Sequence, residues 1–126
     1  MREIKFRAWD SETEEMYYTG ESFDIIFYFD SEGIVAERVT EDETEKLEHL
    51  EYMAYTGLKD KNGKEIYEGD IVKHATDEGV YKVIFEDGGF YVKNLFEYDF
   101  QTINEYPLEV IGNIYENPEL LEEESE

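Results

Sequence analysis

The stretch YTGLKDKNGKEIYEGDIVK, residues 55–73, decides how this chain is to be read. Gly57, Asn62-Gly63 and Gly69 punctuate it, because Asn and Gly accept the positive φ that tight turns demand. Between them lie short β-forming runs at 65–67 and 71–75, so the pattern predicts strands joined by tight corners. Three chemical readings compete with that one. Lys59, Lys61 and Lys64 hold much of the scarce positive charge and invite a phosphate contact, but Asp60, Glu65 and Glu68 stand among them. Asp60-Lys61-Asn62-Gly63 resembles the opening of a calcium loop, yet that motif needs glycine at its sixth position, where Glu65 stands. Glu68-Gly69-Asp70 sets two carboxylates around a glycine. A Gly-Asp pair before an apolar strand serves the backbone: Gly69 takes the turn conformation and Asp70 accepts nearby amide hydrogens. The stretch reads as the corner of a small β-scaffold.

Downstream, turn signals at residues 76–79 and at Asp87-Gly88-Gly89 separate the runs VYKVIFE and FYVKNL. FEYDFQTINEY is open between a short helix and a loop, Pro107 ends it, and LEVIGNIYEN closes the series before Pro118. Five short strands with one longer excursion before the last have the rhythm of an SH3-like barrel over residues 55–118, with an acidic tail at 119–126. Upstream, residues 1–54 predict β-hairpins. Ile4, Phe6 and Ala8 alternate with charged neighbours and MYYTG returns, giving a hairpin over residues 2–18. FDIIFYFD and the run at 34–39 pair through DSEG. Over residues 40–50, Thr40 and Glu43 fit a capping box and Leu47, Leu50 and Met53 recur every three residues, which predicts a short helix. The fold class expected is mainly β with a short helix: a C-terminal SH3-like small β-barrel preceded by N-terminal β-hairpins.

Composition narrows the function. Thirty-four acidic residues against 11 basic ones give a net charge of −23, which repels phosphate backbones and anionic lipid. No direct nucleic-acid or membrane partner is expected. The absence of cysteine excludes disulfides, thiol nucleophiles and cysteine-ligated metals. No basic-then-apolar leader opens the chain, and no run approaches the roughly 20 apolar residues that span a bilayer. The expected compartment is the cytoplasm.

KFRAWD near the start, YTGLKDKNGKEIYEGDIVK in the middle and VIGNIYENPELL at the end together resemble the YopX family of phage and prophage proteins. The resemblance covers nearly the whole chain and is densest in the middle motif. It implies an SH3-type barrel in the C-terminal part, a setting in the cytoplasm of a bacterial host, and self-association. It brings no enzymatic activity, cofactor or catalytic residue with it.

The residues themselves supply no reaction centre either. His49 and His74 lie in different predicted elements and read as surface or boundary residues, without metal-ligand spacing. No nucleophile elbow, Walker loop or dinucleotide fingerprint occurs, and Gly88-Gly89 is a hairpin turn with no helix after it. No catalytic, cofactor-binding or metal residues are therefore assigned, and no enzyme is expected. The aromatics are the remaining candidates. Phe23, Phe27 and Phe29 share one strand face with Ile26 and Tyr28 opposite, while Tyr91, Phe96, Tyr98 and Phe100 cluster downstream. Most are expected in a core. The strand over 23–29 is apolar on both faces, as a strand covered on both sides would be. The function expected is a non-enzymatic binding or assembly module acting as a homo-oligomer, with a host or phage protein as a further partner. The alternative is an acidic DNA mimic that sequesters a host DNA-binding protein.

Overall fold

A computed structural model describes residues 5–21, 23–74, 79–97, 100–103 and 107–122. The chain is mainly β and divides into two compact units, Lys5–Met53 and the residues from Ala54 onward. In the first unit, β1 (Phe6–Asp10) and β2 (Glu15–Tyr18) form the expected hairpin, with Trp9 facing Met16. The strand continues one residue past Trp9, and the part of the predicted hairpin before Lys5 lies outside the described residues. A second sheet runs β3 (Ile25–Asp30), β4 (Gly33–Val39), β5 (Thr44–Lys46), with β3 at its end. Phe27 pairs with Ala36 and Phe29 with Ile34; Ile25 and Phe27 face the core, while Phe29 on the same side of the strand stays exposed. That core contains Ala8, Tyr17, Ile25, Ala36, Leu47 and Leu50, with Phe27 and Tyr52 packed on it.

The helix expected over residues 40–50 is absent; β5 occupies its centre. Thr40 and Glu43 do bond reciprocally, but as a tight link between antiparallel strands. The Glu43 amide donates to Thr40 Oγ1 at 3.1 Å, and the Thr40 amide to the Glu43 carbonyl at 2.9 Å. The same side-chain chemistry caps a helix or closes a turn, and pairing with β4 decides between them. Leu47 and Leu50 are buried from an extended chain. Among the described residues the one helical element is a 3₁₀ turn, Pro118–Leu121, where the acidic tail was expected to begin.

β6 (Glu51–Lys59) starts in the first unit and carries on into the second, where it pairs with β7 (Glu65–Tyr67). The register slips between Tyr55 and Lys59, around Gly57 at φ 89°. β8 (Asp70–His74), β9 (Val80–Glu86), β10 (Gly89–Asn94), β11 (Phe100–Thr102) and β12 (Leu108–Asn113) form one curled sheet in the order β11-β10-β9-β8-β12. The segment left open between helix and loop thus contains a strand, β11, while residues 98–99 and 104–106 lie outside the described set. The turn predicted at 76–79 falls mostly outside it too. Asp87 and Gly88 turn β9 into β10 with φ 48° and 79°, the doubly positive pair a two-residue hairpin uses. Ile66, Val72, Tyr81, Val83, Val92 and Leu108 form this unit's core.

Candidate functional site: an exposed aromatic strand and a histidine–carboxylate cluster

The 55–73 stretch builds corners, through one residue the sequence did not single out as their organiser. Asp60 is 7% exposed and its carboxylate takes three backbone amides. Oδ1 accepts from Asn62 at 2.8 Å and Lys64 at 2.9 Å, and Oδ2 accepts from Val110 on β12 at 3.0 Å. The Lys61 amide also reaches the Leu108 carbonyl at 2.8 Å, so the lysine-rich turn is sewn to the closing strand. Burial raises the Asp60 pKa, but these amide donors and Lys64 outweigh it and hold the group below 3.8. Lys59, Lys61 and Lys64 are exposed, with Lys61 Nζ 3.8 Å from Glu109.

Asp70 behaves as its motif predicts. It is 2% exposed and its Oδ2 accepts the Tyr67 amide at 2.8 Å, while Gly69 takes φ 88°. The Gly69 amide donates to the Val83 carbonyl, and its own carbonyl accepts the Ile114 amide at 3.0 Å. In the terminal motif, Asn113 Oδ1 accepts the amides of Tyr115 and Glu116, and Asn117 Oδ1 accepts that of Asn113. Gly112 is closely approached there by side chains of the terminal turn. A Cβ on it would lie 2.6 Å from Asn117 Oδ1 and 2.9 Å from Leu120 Cδ1.

The aromatics of β3 do not follow the expectation of burial. Phe23 stands fully in solvent just ahead of the strand, Phe29 is 71% exposed and Ile26 47%. Only Phe27 is well engaged, edge-on to Phe6 at 5.2 Å and to Tyr52 at 6.4 Å. Tyr28 and Ile26 project from the opposite face, and Tyr28 donates its hydroxyl hydrogen to Glu37. That acceptor, ahead of a small desolvation effect, raises the Tyr28 pKa. In the second unit Tyr91 is half-buried and Phe96 41% exposed. Tyr98 and the side chain of Phe100 lie outside the described residues.

One cluster escaped the sequence reading. β1 ends at Asp10, Glu12 lies in the turn that follows, and His49 lies in the link from β5 to β6. His49 Nε2 is 2.7 Å from Asp10 Oδ1 and 3.0 Å from Glu12 Oε2. Asp10, 1% exposed, also accepts the Glu12 and Thr13 amides on Oδ1 and the Tyr17 hydroxyl at 2.8 Å on Oδ2. Burial alone would push its carboxyl up; the Tyr17, His49 and backbone donors reverse that and hold it at about 2. Arg38 Nη2 donates to the Tyr17 hydroxyl at 2.9 Å, completing a chain from Arg38 through Tyr17 to Asp10. No signal in a single sequence brings residues 10 and 49 together. His74, expected at the surface or boundary, is buried at 6% exposure beside Tyr81. It stands on β8, where apolar Ile71 and Val72 already face inward.

The geometry thus defines a mainly β scaffold whose recognisable motifs build turns and corners. The YopX family model, described as YopX protein, matches residues 5–122, and the chain belongs to that family. It is similar to the SPbeta prophage-derived uncharacterized protein YopX of Bacillus subtilis (strain 168), at 32% identity over 93% of this chain and 95% of that protein. The crystal structure of yopX from Bacillus subtilis superposes with a TM-score of 0.69 at 28% identity, covering 99% of this chain and all of the other. Protein EF1440 from Enterococcus faecalis gives a TM-score of 0.65 at 30% identity, covering 97% of this chain and 100% of that one. Among the described residues no helix is long and apolar enough to cross a membrane.

Proposed function

We propose that this YopX-family protein is a non-enzymatic assembly module in the cytoplasm of a bacterial host, a homo-oligomer joined through β3, on an SH3-like C-terminal scaffold. The observation that carries the reading is the placement of β3. It is an end strand, paired with β4 on one side, and presents Ile26, Tyr28 and Phe29 together with the preceding Phe23. A long apolar strand at a sheet edge templates pairing with another strand unless charge or proline blunts it. Here residues 25–29 carry neither, in a chain of net charge −23. The occupant is a second copy, whose identical run at residues 25–29 brings no charge into the contact, with Asp24 and Asp30 confined to its ends. The four side chains leave roughly 500 Å² exposed per copy, divided between the two faces of the strand, so edge pairing covers part of it.

Light scattering coupled to size-exclusion chromatography tests this. The wild type is expected to run as an oligomer and Ile26→Lys as a monomer with an unchanged circular dichroism spectrum. A wild-type monomer at high protein concentration overturns the reading. The polyanion-mimic alternative rests on the net charge of −23 together with a phage setting. Salt-sensitive, DNA-competed capture of a basic host DNA-binding protein would favour it, with Ile26→Lys capturing equally well.

A further inference from the structure

The ligand atoms of Asp10, Glu12 and His49 lie within 4.8 Å of one another, all inside the Lys5–Met53 unit. His49 Nε2 faces two carboxylate oxygens at once, at 2.7 and 3.0 Å. An imidazole nitrogen carries at most one hydrogen, while an ionised carboxylate only accepts. One hydrogen cannot make two straight bonds in diverging directions. A divalent cation satisfies all three groups together, taking the lone pair of neutral imidazole and one oxygen from each carboxylate.

We propose that Asp10, Glu12 and His49 form a binding site for a divalent transition-metal ion of the zinc class. Ligand atoms about 2.0–2.1 Å from an ion lie about 2.9 Å apart in cis octahedral positions and about 3.3 Å apart in a tetrahedron. The two carboxylate oxygens lie within 4.8 Å of each other and come to about 4.2 Å or less when both bind one ion. The observed 2.7 and 3.0 Å separations from His49 straddle the octahedral value. Opening toward the tetrahedral one needs shifts of about half an ångström, within reach of the rotamers of Glu12, which is 71% exposed. Asp10 is the fixed member. Two turn amides and Tyr17, itself held by Arg38, orient its carboxylate as outer partners orient metal ligands elsewhere. Three protein donors with a solvent-facing side leave positions for water, and imidazole beside carboxylate favours zinc, nickel or cobalt over calcium or magnesium. The net charge of −23 raises the local concentration of any cation. Binding would fasten the β1–β2 turn to the link before β6.

The test is a titration of the full-length protein with Zn²⁺, repeated with Co²⁺, read by binding calorimetry and by NMR of the imidazole resonances. The chain has two histidines, and His74 serves as the internal control. His49 signals are expected to shift with Zn²⁺ and broaden with Co²⁺ while those of His74 stay. Glu12→Gln, a change at an exposed side chain, weakens binding about 10-fold or more, and Glu14→Gln on the same turn leaves it unchanged. His49→Gln removes the saturable phase. If Glu12→Gln binds like the wild type, or both histidines respond in parallel, cations merely condense on an acidic surface and the site is refuted. The oligomer proposal is untouched by either result, because Ile26→Lys retains all three ligands.

Discussion

Replacing Asp60 is the sharpest test of whether the 55–73 motif is architectural. Its carboxylate accepts three backbone amides, two from its own turn and one from Val110, 50 positions along the chain, at 2.8, 2.9 and 3.0 Å. In Asp60→Asn the remaining carbonyl oxygen can keep Asn62 and Lys64, but the NH₂ then meets the Val110 N–H, donor against donor. One charge-assisted bond is lost and an amide is left unsatisfied, a cost of about 2 kcal/mol. Asp60→Ala removes all three acceptors. Bonds to charged groups are worth about 1.5–3 kcal/mol each, and water reaching the exposed Asn62 and Lys64 amides recovers part, leaving about 4 kcal/mol. Urea denaturation supplies these differences, and amide hydrogen exchange locates them. Val110 protection should fall in both variants, that of Asn62 and Lys64 mainly in Ala. The pH dependence has a definite sign. The folded pKa is depressed below 3.8, so the carboxylate's stabilisation is complete above the ordinary carboxylate range and is lost as pH falls through the folded value. The gap between wild type and Asp60→Asn therefore narrows below about pH 4. A loss under 0.5 kcal/mol for Asp60→Asn, or unchanged Val110 exchange, would refute the reasoning.

Three further substitutions probe the other corners. Gly69→Ala forces a side chain into φ 88° and should cost about 1–2 kcal/mol by the same denaturation measurement. Gly112→Ala drives a methyl to 2.6 Å from an Asn117 oxygen that already accepts the Asn113 amide, and should cost about 1–3 kcal/mol; Asn117→Ala in the same chain should relieve part of it. Tyr17→Phe takes a donor from buried Asp10 and an acceptor from Arg38, costing about 1.5–3 kcal/mol, with the tryptophan fluorescence of neighbouring Trp9 reporting the transition.

Most β-elements were legible because turn chemistry is local. Asn62-Gly63, Gly69 and Asp87-Gly88 announce positive φ wherever the chain reverses, and the alternation in β1 marks its faces. Residues 40–50 misled because leucines every three positions and a Thr-x-x-Glu pair fit a helix as well as a strand link; pairing of Glu37 with Lys46 and Val39 with Thr44 chose the strand. Of the candidate surfaces, the apolar character of β3 on both faces was readable. Its position at the end of a sheet, which leaves Phe29 and Ile26 uncovered, was not.

What residue identity alone determined was where the backbone bends, since glycine and asparagine relieve a steric cost that acts within one or two residues. What folding decided was which distant groups meet: Asp60 with Val110, and His49 with Asp10 across 39 positions. Those meetings depend on strand order and register, and a carboxylate carries no local mark of the amide or imidazole it will face.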